Sequence, residues 1–177
     1  MKRFVLFLFL VISSVLLLNY QATTKVYSDS ILTTKTNNFI QSVGGRIICS
    51  DTNNNVLNTI FETNNSINLY TVSNTPGYEI EKSVNLYAAN NTSSIIFKKV
   101  SYYNFTYICT LINNKDILKL TSKIRIKTLV NGETLIYEKP TSSLPGSILS
   151  IEGSSVDVFE ISLLDINDNE LYIKTYN

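Results

Sequence analysis

The 177 residues carry 15 Lys and Arg against 14 Asp and Glu, contain two Cys, and lack both His and Trp. A formal net charge of +1 removes any general electrostatic case for nucleic acid. The lack of His removes Ser-His-Asp and Cys-His nucleophile activation and the commonest zinc ligand, so the chain reads as a non-enzyme without a cofactor. At the N-terminus, Lys2 and Arg3 precede the run Phe4 to Leu18, which has the length of a signal-peptide h-region. It falls short of the roughly 20 apolar residues of a spanning helix. Residues 1–22 are therefore predicted to be a signal peptide cleaved after Ala22, although Tyr20 is bulky for its place in the cleavage site. An uncleaved leader acting as a signal anchor is the alternative. No later stretch is apolar enough to span, and no lipidation signal closes the chain. The expected product is secreted, with no transmembrane span after leader cleavage, and has about 155 residues, the size of one domain to one and a half.

Beyond the leader no sustained 3.6-residue apolar period with caps is visible. Short β-branched and aromatic runs alternate with Asn, Gly, Ser and Pro clusters, the pattern of an all-β sandwich. After Gly44-Gly45, which opens the first strand, Ile47 and Cys49 alternate with Ile48 and Ser50. The runs NTIF, SINLYTV, EKSVNLYA, SSIIFKKV and NFTYICTLI follow. The clearest predicted strand is Ile117 to Val130. Leu118, Leu120, Ile124, Ile126 and Val130 share one face, and Lys119, Thr121, Lys123, Arg125 and Lys127 share the other. Asn131-Gly132 is a turn signal, and residues 139–147 read as a boundary or a long loop. SILSIEGSSVDVFEISLLD and ELYIKTYN then supply two or three strands, with INDN as a hairpin turn between the last pair.

Two cysteines, Cys49 and Cys109, in an exported chain imply one disulfide, with two buried free thiols as the alternative. Closing so long a loop would stabilise by about 4 kcal/mol in the chain-entropy picture. Sequons begin at Asn64, Asn90, Asn91 and Asn104 and mark exposed loops of a glycoprotein on a eukaryotic secretory route. Asn90 and Asn91 overlap, so one of the two at most is expected to be used.

The segment 42–130 resembles an immunoglobulin-superfamily domain of the variable or intermediate type. GGRIICS, ending at Cys49, is similar to the family's second strand. Cys109 lies at a typical separation for the bridging pair, with Tyr107 two residues before it at the place of the tyrosine corner. SSIIFKKV, with Ile95, Phe97 and Val100, resembles the strand that leads into that corner, and SKIRIK the end of the final strand. The chain departs from the family in lacking the core Trp, for which Phe61 is the best-placed substitute and Leu69 or Tyr70 the alternatives. It also lacks the acidic and small residues that usually precede the tyrosine. The resemblance implies an Ig-like antiparallel β-sandwich over residues 23–130, with Cys49 and Cys109 joined between its sheets. Residues 131–177 form an additional C-terminal β segment, packed on that domain or forming part of a second Ig-like domain. The first arrangement is preferred, because half a sandwich would expose Ile, Leu and Val side chains.

LDINDNE (164–170) resembles the calcium-linker motif of cadherins, with Asp165, Asn167, Asp168 and Asn169 as the ligands that resemblance implies. A polar hairpin turn explains the same residues and is preferred, so no metal is assigned. Glu79 and Glu81 could form a glycosidase pair, but they alternate with apolar residues as a solvated strand face does. Lys115, Lys119, Lys123, Arg125 and Lys127 would attract a sulfated glycan or an acidic protein, or else form a charged face that guards an edge strand. Tyr102 and Tyr103 fall near a predicted sandwich end, where exposed Tyr makes contacts. By composition and architecture the chain is similar to secreted immunomodulators of large DNA viruses, such as poxvirus cytokine-binding proteins. That resemblance implies a decoy that binds an extracellular or cell-surface protein. The alternative is an adhesion or surface-coat protein tethered by its leader.

Overall fold

A computed structural model describes residues 11–15, 30–53, 55–75, 78–89, 91–102, 104–130, 132–141, 144–153 and 156–176. Its strands are all paired antiparallel, in three sheets. Sheet A is a meander of β1 (Arg46–Asn53), β2 (Val56–Glu62), β3 (Ser66–Thr75) and β4 (Tyr78–Ala88). Sheet B runs β5 (Ile95–Tyr102), β6 (Phe105–Ile112), β9 (Gly146–Glu152). Sheet C runs β11 (Glu170–Thr175), β10 (Asp157–Leu164), β7 (Lys123–Val130), β8 (Glu133–Pro140). The C-terminal segment thus supplies β8 to β11; β8 and β10 pair with β7, β9 pairs with β6, and β11 pairs with β10.

The three core clusters fix the order of the layers. Helix α1 (30–42) buries Leu32 and Ile40 against Leu57, Phe61, Tyr70 and Val72 on one face of sheet A. Phe39 stacks on Tyr70 at 4.2 Å between centroids and meets Phe61 edge-on at 6.0 Å. The other face of sheet A packs Ile60 and Leu69 against Tyr107, Cys109, Leu111 and Ile148 of sheet B. The far face of sheet B packs Phe97, Ile108 and Ile112 against Ile124, Ile126 and Ile161 of sheet C. Sheet B is therefore covered on both sides. This is why β6 reads FTYICTLI, with apolar side chains at odd and even positions alike.

The sequence expectations need correcting in four places. First, residues 30–42 are helical, although no helix was predicted after the leader. Leu32, Thr36, Phe39 and Ile40 do recur at helical spacing, but the intervening Thr and Asn residues are weak helix formers and mask the period. Gly44 does not open a strand; it ends α1 with φ +64, while the Gly45 N–H donates to Ile40 O at 2.8 Å. Second, the strand predicted from Ile117 begins only at Lys123. Residues Lys115–Leu120 form helix α2, because the Asn114 side chain accepts from the N–H groups of Asp116 and Ile117 at 2.9 and 3.1 Å. Third, Phe61 faces α1 and not the cysteines; of the three candidates, Leu69 shares their cluster. Fourth, chain-consecutive strands make up sheet A and a third sheet covers sheet B, whereas an immunoglobulin sandwich has two sheets joined by Greek-key connections.

Candidate functional site

The expected Cys49–Cys109 disulfide is not formed: both cysteines belong to the core between sheets A and B as buried free thiols, the alternative the sequence left open. Burial pushes the Cys49 thiol up to about 12, against smaller opposing effects of the Ile60 backbone and Lys139. Burial also raises Cys109, with Cys49 as a second cause. Neither is a thiolate near neutral pH, so neither acts as a nucleophile in this state. Tyr107 is buried in the same core, in the middle strand of sheet B.

Of the five residues of the expected basic face, Lys123, Arg125 and Lys127 lie together on β7, where carboxylates neutralise them. Lys123 pairs with Glu138 at 2.9 Å and with Asp168 at 2.6 Å. Arg125 pairs with Glu138 and Lys127 with Glu160, each at 2.7 Å. Hydrogen bonds from Lys123 and then Arg125 hold Glu138 below the usual carboxylate range. The sequence shows the cations in one strand, but their partners sit on β8, β10 and the β10–β11 turn, so only the fold brings them together. Lys115 and Lys119 lie apart from this ladder, exposed on α2.

The residues of the calcium resemblance do not converge. Asp165 Oδ1 accepts from the N–H groups of Asn167 and Asn169 at 2.7 and 2.9 Å, and its Oδ2 accepts from Asn169 Nδ2 at 2.9 Å. These bonds, the Asn169 side chain's first, lower the Asp165 pKa. Asp168, at φ +65, turns to Lys123 instead. The residues form the turn of the β10–β11 hairpin, with both Asp165 oxygens engaged inside it. Glu81 likewise has a structural role, accepting from the Tyr70 hydroxyl at 2.9 Å and pairing with Lys35 of α1 at 3.5 Å.

Asn64 and Asn104 are exposed at turns, and Asn91 is half-buried with its Oδ1 accepting from Ser93 N–H at 2.9 Å. Asn90 and Tyr103 lie outside the described residues, as does the side chain of Tyr102, whose backbone ends β5 opposite Phe105.

Two surfaces remain that sequence reasoning did not find. One is β8, an end strand of sheet C, where Glu133 to Ile136 are all exposed and Ile136 keeps 58% of its surface. The signal for it was the apolar pair Leu135-Ile136 directly after a turn, which breaks polar alternation. The other is a cleft of about 540 Å³ between sheets B and C. Its floor is Ile108 of β6 and Ile161 of β10, and its walls include Leu129, Val158 and Phe159. No sequence signal announces it, because it depends on a register shift between Val158 and Glu160 in the β10–β7 ladder. No protein-family model, curated protein or solved structure matches this chain.

Proposed function

We propose that this chain is an exported binding module that recognises an extracellular protein through the open edge of sheet C. The observation that carries the reading is β8. An end strand offers a row of unpaired N–H and C=O groups, and most natural edges are blunted by Lys, Pro or a covering element. Here Pro140 comes only at the last position of the strand. Lys139 is turned inward, donating to Ile148 O and pairing with Asp51 at 2.7 Å. Residues 133–136 are left exposed, with Leu135 and Ile136 on opposite faces of the strand. An extended segment of a partner adding to this edge would gain backbone hydrogen bonds, with side-chain pockets on both faces for selectivity.

The leader-like N-terminus supports export, and the sequons with exposed Asn64 and Asn104 agree with it. What remains of the immunoglobulin expectation is coarser, facing antiparallel sheets with Cys49 and Cys109 in the core between them, and the binding reading rests on β8. Occupying a ligand's receptor site would make such a module a decoy.

The test is a screen of the secreted, tagged protein against extracellular proteins and sulfated glycans, in parallel with Ile136→Lys. A saturable protein partner that survives moderate salt and loses at least about tenfold in affinity with Ile136→Lys is the expected result. Binding confined to glycans and abolished by moderate salt would overturn the reading, and so would a partner indifferent to the substitution.

A further inference from the structure

The cleft between sheets B and C has a construction that the β8 edge lacks. Along a regular strand successive side chains alternate, so two neighbours do not share a wall. In β10, Asp157 pairs with Leu129 and Val158 with Thr128, but the next pair is Glu160 with Lys127. Phe159 is the extra residue of a β-bulge, and Asp157, Val158 and Phe159 all line the cleft. The bulge is fixed from the other side by Tyr176, whose N–H donates to Phe159 O at 2.9 Å and which lines the cleft as well. The result is an apolar hollow whose accessible walls are Leu129, Val158, Phe159 and Tyr176, with Ile108 and Ile161 almost closed off beneath them. Close-packed interiors rarely leave such space, and about 540 Å³ falls within the roughly 300–1,000 Å³ of small-molecule sites.

The polar groups stand at the rim. Lys99 reaches across from β5, donating to Val156 O at 2.8 Å. Asp157 Oδ1 is 3.9 Å from the same ammonium, beyond hydrogen-bond length, and its side chain is largely exposed. One of the three ammonium donors is thus used by the backbone, and the one carboxylate among the described lining residues holds the cation loosely. An incoming anion would make a shorter, charge-assisted bond than Asp157 does.

We propose that this cleft binds a single-chain amphiphile with an anionic head group, the tail lying along Leu129, Val158, Phe159 and Tyr176 and the head on Lys99. The site is separate from β8, so it stands or falls independently of the protein-binding reading.

Calorimetric titration of the full secreted protein with dodecanoate, dodecanol and dodecyltrimethylammonium, each below the concentration at which it self-associates, tests this. Dodecanoate is expected to bind saturably and about tenfold more tightly than dodecanol, as one charge-assisted contact would give. Lys99→Gln should close that gap while leaving dodecanol unchanged. Val158→Trp, filling the hollow, should weaken both. If Val158→Trp does not fold, as judged by its thermal transition, Leu129→Trp at the more exposed wall replaces it. Equal binding of the three probes, or preference for the cationic one, would overturn the head-group assignment. A folded Trp variant that binds dodecanoate like the parent would overturn the site, and so would the absence of saturable binding. Self-association that disappears in Val158→Trp would give the cleft to a second copy of the chain, overturning the proposal.

Discussion

Sheet B meets sheet A on one face and sheet C on the other, and the two interiors come out differently. Toward sheet A, Ile60, Leu69, Tyr107 and Ile148 close together around the two cysteines. The fit is tight enough that a Cβ on Gly146 would lie 2.7 Å from Cys49 Sγ and 3.1 Å from Ile48 Cγ2. Toward sheet C, β6 and β5 of the same middle sheet supply Ile108 and Phe97 to an equally apolar layer, yet part of it stays open. Composition does not separate the two, since both are rich in Ile and Leu. Both opposing sheets carry bulges, in sheet A between Ile47 and Cys49 of β1 and opposite Ile67 and Asn68 of β3, but the one that borders this open cleft is the bulge of β10, at Phe159. A bulge therefore opens a core layer only where it sits, here at the margin of the layer beside Leu129 and Tyr176.

The largest effect that would sharpen this contrast is Leu69→Ala in the closed interior. Leu69 is fully buried, so the variant should lose about 3 kcal/mol in denaturant unfolding. Val158→Ala, facing the open cleft, should lose about 1 kcal/mol or less by the same measurement. Similar losses at the two sites would mean that the interiors are packed alike. Next in size is Gly146→Ala, which should cost about 1–3 kcal/mol by overpacking. Combined with Cys49→Ala, which removes the Sγ it meets, it should cost clearly less than on its own. Strict additivity of the two substitutions would show that this contact does not limit the packing.

The smallest effect concerns the outer face of sheet C, where charges replace packing. Glu138 has its pKa lowered on folding by Lys123 and Arg125, so its contribution is complete above the carboxylate pKa of the unfolded chain, about 4.3. It is lost as pH falls through the lower folded-state value. The gap in melting temperature between the parent and Glu138→Gln should therefore be widest at neutral pH and shrink on acidification. A gap that grows as pH falls would contradict the ion-pair ladder.

What the sequence could and could not show follows the range of each interaction. The antiparallel strands and the β10–β11 turn were legible, because alternation and Asp/Asn turn chemistry act within a few residues. The double burial of β6 had a sign as well: apolar residues at both odd and even positions, interrupted only by Thr106 and Thr110, against the half-polar alternation of β7. Helix α1 was missed because its buried face includes Thr36 and its exposed face is Thr- and Asn-rich. Helix α2 was missed because Leu118 and Leu120 continue the two-residue spacing of β7, and only the Asn114 cap separates them from it. The basic stripe was visible and its neutralisation was not, since Glu138 and Glu160 reach it through β8 and β10. The β8 edge had one local sign, the apolar pair Leu135-Ile136, whereas the cleft is a property of strand order and register, which no local pattern encodes.

The middle strand of the middle sheet must wait for its second partner. β6 ends at Ile112, and the strand that completes its ladder starts at Gly146, after α2 and the whole β7–β8 hairpin. Contacts of such separation make for slow folding. Until β9 arrives, β6 presents an open edge built almost entirely of apolar side chains, and Ile148 is missing from one interior and Ile151 from the other. The growing chain is therefore most prone to aggregation late in synthesis, when its first three-quarters are made and neither core can close. A premature stop before Gly146 would leave a substrate for chaperones and proteases, and not a smaller working domain.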